Sequence, residues 1–459
     1  MMIVSAAKNG LLCGLAILLA FTMGCTKDEE KGRYDRTASS GKLNKPILLA
    51  TIGVDATVAA SGKHGSSVTG SGFVFGQKGG GAAYIESKAG RLRVRHNNRF
   101  GKWYHHIEGL TISPDGSSTA YVAQIGEKYC VVRDGKEGQT FDNVGFPRFS
   151  PDGQHIVYNA THRGKGRLVV DDLMSPPFPS SWDEQFTGDS SKVISIQNAD
   201  DQSTKHAVVT YDLNLRKLWM KEVDAVGFIY NKDRTRLAVI GLESGKQRLI
   251  LLSIDDPDNM RMGPLYNEIV HIAFAPDDAS VAYFAATVEN RRLVVLNERE
   301  ALLPEGLPTG PPVVRSDNKV VGVTLKAKNG GLYHEAFGDR RHAEKRYDGA
   351  GQPFFSRDGK RSGYVARVGK DVFTVVDGNE GPKYDIIIAP EYSRDGKYLV
   401  YRARKDGIRF IVIANAVGEL VRQHPGYEQV FPARFSDDGK TIAYGIKDGN
   451  RLLWSEETL

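Results

Sequence analysis

Aspartate returns along this chain in one recurring phrase, Phe149-Ser150-Pro151-Asp152-Gly153. Close copies stand at Ser113-Pro114-Asp115-Gly116, Phe355-Ser356-Arg357-Asp358-Gly359, Tyr392-Ser393-Arg394-Asp395-Gly396 and Phe435-Ser436-Asp437-Asp438-Gly439. Aligned on the acid, the series runs Asp115, Asp152, Asp189, Asp233, Asp277, Asp317, Asp358, Asp395 and Asp438, with Lys78 in the place of an earlier copy. A set of carboxylates at regular spacing could ligate cations or share protons if the fold gathered them. The neighbours point elsewhere. Proline presets φ, aspartate bonds back to its own backbone, and glycine takes the positive φ that other residues avoid. Each phrase is therefore turn chemistry, and its aspartate is read as structural.

Other chemistry is sparse. The sequence has no Gly-x-Ser-x-Gly elbow, no Walker loop, no His-Glu-x-x-His and no paired-cysteine metal spacing, so no catalytic or metal-ligating residue is assigned and no cofactor is expected. His105 and His106 are adjacent, so on a strand they face opposite ways and cannot share one metal. His105 falls where other copies carry Asp142, Asp348, Asp385 and Glu428, just after a recurring aromatic. These five residues are expected along one edge of the repeats, either as a binding edge or as caps on hairpins. Arg91, Arg93 and Arg95 alternate onto one face, followed by Lys102, Trp103 and Tyr104; a second basic run is Arg340-Arg341-His342 with Lys345 and Arg346. Either run suits an anionic partner or a charged strand that resists edge pairing. Gly79-Gly80-Gly81 is read as a turn rather than a phosphate cradle.

The elements that position these residues follow from the spacing. Intervals between markers run from 37 to 44 residues, which indicates a repeat array. Six residues after the marker stand Tyr84, Tyr121, Tyr158, Tyr283, Tyr364, Tyr401 and Tyr444; eleven before it stand Tyr104, Phe141, Phe178, Tyr266, Tyr347, Tyr384 and Tyr427. Aromatics make up only 9% of the chain, so chance does not place them this way. Residues 119–124 and 128–133 alternate as strands, and Asp134-Gly135 and Asp377-Gly378 supply tight hairpin turns. With short strands near Phe141 and Phe149, each unit reads as four strands closed by the Pro-Asp-Gly turn. Four-stranded units of about 40 residues are propeller blades. The expected fold is all-β: a single β-propeller of eight to ten blades on ten markers. Only 21 residues follow Asp438, so strands near 46–52 and 68–76 are expected to complete a blade shared by both chain ends.

The phrases Phe-Ser-Pro-Asp-Gly-x-x-Ile-x-Tyr and Val-Val-x-Asp-Gly-x-Glu-Gly resemble the repeats of TolB-type, WD-like β-propellers over most of residues 70–455. Trp182-Asp183 occurs once, so eukaryotic WD repeats are a poorer match. TolB-type proteins also carry an α/β domain with no counterpart here, and their partners are not carried over. At the other end, Lys8, the apolar run Leu11–Phe21 and Thr22-Met23-Gly24-Cys25 resemble a lipoprotein signal, in which Cys25 takes the lipid; Thr22 departs from the usual Leu. Thr26 after Cys25 implies the outer membrane by the same resemblance. The division expected is 1–24 signal, 25–45 polar tether and 46–459 propeller. Removing 1–24 takes away one lysine and no acid, leaving a net charge of +5 instead of +6. That mild charge does not call for nucleic acid. Cys130 is then the one thiol of the propeller and is expected buried.

Two functions remain open. One is a monomeric, lipid-anchored envelope propeller, facing periplasm or surface, that binds an envelope protein, glycan or other ligand without catalysis. The other is a propeller enzyme or carbohydrate-binding protein with a site at the channel mouth. Converging carboxylates in a deep pocket would favour the second.

Overall fold

The computed structural model describes residues 45–53, 57–59, 72–199, 205–328, 330–338, 345–436 and 438–459. Its regular elements are β-strands in nine antiparallel sheets. One sheet has seven strands and holds two blades, because the 14-residue strand Lys217–Tyr230 ends one blade and begins the next. The described strands thus form ten units in sequence order, matching the ten markers: blade 1 has strands within 57–100, blade 2 within 107–141, blade 3 within 143–174, blade 4 within 181–224, blade 5 within 225–266, blade 6 within 268–302, blade 7 within 307–337, blade 8 within 349–380, blade 9 within 386–423 and blade 10 within 429–458. Blade 2 is typical, a meander of Ile107–Ile112, Thr119–Ile125, Lys128–Arg133 and Lys136–Phe141. Blade 10 draws on both ends of the chain: Gln429–Val430 with Arg434–Phe435, Thr441–Asp448 and Arg451–Thr458, completed by Ile47–Thr51. Ile47 pairs with Trp454 and Thr51 with Arg451. The sequence expectation of a shared last blade holds for 47–51. Strands near 73–75 instead open blade 1.

Each core cluster joins one blade to the next. Ile85, Tyr104, Tyr121 and Val132 span blades 1 and 2; Val376, Tyr384, Leu399 and Tyr401 span 8 and 9; Ala50, Phe73, Tyr84, Phe431 and Leu452 span 10 and 1. The sheet-to-sheet contacts return to their start.

First strands of neighbouring blades touch one another at the joins 1–2, 2–3, 5–6, 6–7 and 8–9, which puts first strands around the axis and fourth strands on the rim. These inner strands are kinked at mid-length. In blades 3, 7, 8 and 10 the strand splits, and each gap holds a proline: Pro147, Pro311 and Pro312, Pro353, and Pro432. Proline has no N–H to give the ladder, so it interrupts pairing where it stands. In blades 2, 6 and 9 the strand is continuous but its register shifts, with Gly109, His271 and Ala389 at φ of 62°, 54° and 51°.

The Pro-Asp-Gly turns do not lie between blades, as the spacing suggested. Each joins the first strand to the second within one sheet, as Phe149 leads through the turn to Ile156. Periodicity gives an interval without a phase, so the expected blade was offset by one strand. The turns have a second role in linking blades. Lys78 N–H donates to Pro114 O (2.9 Å), Asp152 N–H to Ser190 Oγ (3.1 Å), and Asn318 Nδ2 to Asp277 Oδ2 (2.6 Å). A Cβ on Gly116 would stand 2.4 Å from Gly79 O. The triple glycine at 79–81 thus serves close turn-to-turn packing.

Candidate functional site

The recurring residues are consumed by construction. Ser113 and Ser356 hydroxyls donate to Asp115 and Asp358 at 2.6 Å, and Lys397 N–H donates to Asp395 Oδ1 at 3.1 Å. The Ser393 hydroxyl and that amide hold the Asp395 carboxyl down to about 2. Where a tyrosine stands six residues after the marker it sits on the second strand, paired in register: Tyr121 with Val132, Tyr158 with Val169, Tyr364 with Val375, Tyr401 with Val412, Tyr444 with Ser455. For Tyr121, Tyr158, Tyr283, Tyr364 and Tyr401 the partner is the aromatic seventeen residues earlier, at the end of the preceding blade. Tyr104–Tyr121, Phe141–Tyr158 and Tyr384–Tyr401 meet edge-on at 6.2, 6.3 and 6.2 Å. Such contacts add about 0.5–1.5 kcal/mol beyond area burial. Tyr104 then donates its hydroxyl to Glu137 (2.8 Å), the glutamate of Asp-Gly-x-Glu-Gly, which also takes Lys102 at 3.1 Å.

The five edge residues are spread over separate blades. Asp348 accepts from Gly369 N–H (2.7 Å) and Asp385 from Asp406 N–H (2.8 Å), in both cases on the second-to-third-strand hairpin of the adjacent blade. Asp142 pairs with Lys128, Glu428 pairs with Lys447, and His105 is exposed. Cys25 lies outside the described residues, as do Arg340, Arg341 and His342. Cys130 is buried, and burial pushes its thiol up to about 11. Among the described residues, no group of three or more His, Cys, Asp or Glu is placed to hold a metal ion.

Besides the turn aspartates and the second-strand tyrosines, two clusters of displaced titratable groups lie on the inner strands. One cluster spans blades 3 to 5. Arg148 Nη2 lies 2.8 Å from Asp183 Oδ1, and Asn159 Nδ2 donates to Glu184 Oε2 at 3.0 Å. Glu184 is 6% exposed; burial, with Asp183 beside it, pushes its carboxyl up to about 7. Its Oε1 and the Tyr230 hydroxyl have no hydrogen-bond partner among the described residues. Burial lifts the Tyr230 hydroxyl well above its usual range.

The second cluster lies on blades 9 and 10. Glu391 is exposed to solvent yet crowded by wall atoms, so desolvation raises its carboxyl while Arg434 and Lys232 pull it back. Accessible and crowded together describe a group in a narrow wet channel. Lys232 belongs to the turn of blade 5, so opposite walls interact. Beside Glu391 a cavity of about 40 Å³ is lined by Ala389, Arg402, Tyr401, Pro432 and Phe435. Burial lowers the Arg402 guanidinium and no carboxylate offsets it. Its Nη1 donates to Val430 O at 3.3 Å, and its Nε has no partner among the described residues. A half-buried arginine with an unmet N–H beside a cavity suits an anion, which would share the wall with the Glu391 carboxylate.

A third group is a clasp. His424 Nδ1 meets the Tyr444 hydroxyl and Nε2 lies 2.6 Å from Glu457 Oε2, while Glu457 Oε1 pairs with Arg422. His424 and Glu457 are 2% and 4% exposed, so this Tyr–His–Glu series ties blade 9 to blade 10 out of reach of a substrate.

Sequence reasoning missed Glu184, Arg402 and Glu391 because none recurs. Pro390, directly before Glu391 and five residues before its marker, was the available signal of a kinked inner strand.

No protein-family model and no curated protein matches the chain. Among solved structures it is similar to a eukaryotic initiation factor, at 12% identity and a TM-score of 0.44, over 75% of this chain and 97% of that one. It is similar to the dihydro-heme d1 dehydrogenase NirN at 16% and 0.35, over 66% and 72%, and to TolB from Acinetobacter baumannii at 15% and 0.28, over 52% and 64%. Likeness at these TM-scores carries no functional argument, and the architecture stands on the strand order.

Proposed function

We propose that this chain is a cell-envelope propeller, lipid-anchored through Cys25, which binds a ligand or protein at its channel and catalyses no reaction of its own. The observation that carries the reading is Arg402, half-buried with its Nε unpartnered among the described residues, beside a cavity of about 40 Å³ that channel-facing Glu391 also lines. Arg434 and Lys232 add positive charge nearby. The recurring residues supply the ring, and these non-recurring ones supply a recognition surface for an acidic group. Glu184, poised near neutrality, would suit proton transfer, but its burial favours a positioning or structural role over catalysis. The signal and tether readings of 1–24 and 25–45 support export and an outer-membrane address.

The test is thermal unfolding of the wild type and Arg402→Gln, titrated with acidic sugars and acidic peptides. A ligand at a hundred times its Kd stabilises the wild type by about 2.7 kcal/mol and leaves the variant unmoved. A wild type indifferent to every acidic compound contradicts the channel reading. Lipid labelling that survives Cys25→Ser contradicts the anchor.

One observation favours a neutral-sugar site at the channel mouth as a second reading. Trp182, at the start of the inner strand of blade 4, is 56% exposed and leans on His206, ring centroids 4.2 Å apart and planes tilted by 53°. Quenching of its fluorescence by neutral oligosaccharides, lost in Trp182→Ala, would separate this reading from the first.

A further inference from the structure

The basic stretch on blade 1 has no part in the ring or the channel. Arg91–His96 is the third strand and Arg99–Phe100 the fourth, so the arginines approach the rim but do not form its bare edge. Arg93 lies between two rings, 4.6 Å from Phe100 and 4.3 Å from Trp103, and Arg95 lies 4.1 Å from Phe100. Glu86, 5% exposed, holds Arg93 at 2.6 Å and Arg95 at 3.7 Å. These contacts hold Phe100 on the surface, 58% exposed, with exposed Arg91, Arg99 and Lys102 around it. Arg95 Nη2 reaches Thr51 O at 3.4 Å, which joins this patch to the rim strand of blade 10. That strand exposes Ile47 (63%) and Leu48 (56%), and Lys45 beside it is exposed.

We propose that this rim, from Ile47 and Leu48 to Phe100, rests on an anionic lipid surface. Two observations select that occupant. Apolar side chains ringed by arginine and lysine match the boundary between headgroups and acyl chains. The chain also leaves the ring at Lys45, directly beside the patch. Twenty residues separate it from Cys25, a span of at most about 70 Å. Other rim strands are apolar too, but Leu173 and Met174 of blade 3 follow Asp171 and Asp172. Only the orientation rests on the lipid-anchor reading; the affinity for anionic lipid belongs to the patch.

The test uses the full processed chain in vesicles, with an environment-sensitive fluorophore at Asn98→Cys beside Phe100; Cys130 is buried and silent. A second preparation carries the fluorophore at Met174→Cys. Flotation with the vesicles reports the anchor independently. The expected result is a blue shift at position 98 on phosphatidylglycerol vesicles, absent on phosphatidylcholine, absent at position 174 and reversed by 1 M salt. Arg91→Gln with Arg99→Gln should lower the docked fraction on the order of 25-fold, at about fivefold per cation, with an unchanged thermal midpoint showing that the ring is intact. A chain that floats but gives equal emission on both lipids overturns the proposal. So does a shift produced by a soluble acidic polysaccharide and not by vesicles, which would assign the patch to a glycan.

Discussion

Tyr121 illustrates what a recurring residue does in this ring. It is 1% exposed, packs edge-on against Tyr104 of the preceding blade, and its hydroxyl is pushed up to about 12 by burial. Tyr121→Ala should therefore cost about 3–5 kcal/mol in urea denaturation, whereas Tyr104→Phe, losing only the bond to Glu137, should cost about 1 kcal/mol. His334 gives a pH signature. It is 6% exposed, lies against Tyr364 with ring centroids 4.0 Å apart and planes tilted by 34°, and burial pushes it down to about 4. Between about 4 and the ordinary 6.5 the unfolded chain binds a proton that the folded chain refuses. Stability present above pH 6.5 is thus lost as pH falls, by about 3 kcal/mol once pH is below 4. His334→Gln should flatten that part of the stability–pH curve. Spacing alone exposed the tyrosines and their partners, because repetition is visible in one sequence. Arg402, Glu391 and Glu184 each occur once, and their displaced titration comes from neighbours on other strands, so nothing in the residue string marked them.

Among the elements, the Pro-Asp-Gly turn was legible in its chemistry and not in its place. Serine, aspartate and glycine do at each marker what their side chains dictate, but the order of strands around the turn depends on which strand sits at the axis. Contact between neighbouring turns was equally hidden, since it joins residues of different repeats. It has a measurable consequence. Gly116 and Gly135 both have positive φ, 77° and 80°, but a Cβ on Gly116 would strike Gly79 O while one on Gly135 meets nothing within 4 Å. Gly135→Ala should cost about 1–2 kcal/mol from backbone strain, and Gly116→Ala clearly more, read as denaturation midpoints of the two variants. Equal costs would mean that the turns do not bear on one another.

At the scale of the whole molecule, ten markers became ten blades, including the weak copies in the middle, where blades 4 and 5 share one long strand. The turn-to-turn contacts, the aromatic pairs and the hairpin caps all join one blade to the next. The ring depends on the last join, where Ile47–Thr51 completes blade 10, and the channel groups of blades 5 and 9 face each other only if that join holds. Thr51 and Arg451 are exposed, paired neighbours across it. Antiparallel partners stand about 4.5–5.5 Å apart at Cα, within reach of a disulfide. The most direct measurement is oxidation of the Thr51→Cys, Arg451→Cys double variant in the folded state, followed by proteolysis and peptide mapping. A single disulfide-linked pair of peptides, one from each end of the chain, is the result expected of a ring closed by its own termini. Two free thiols under conditions where the chain remains folded would contradict it.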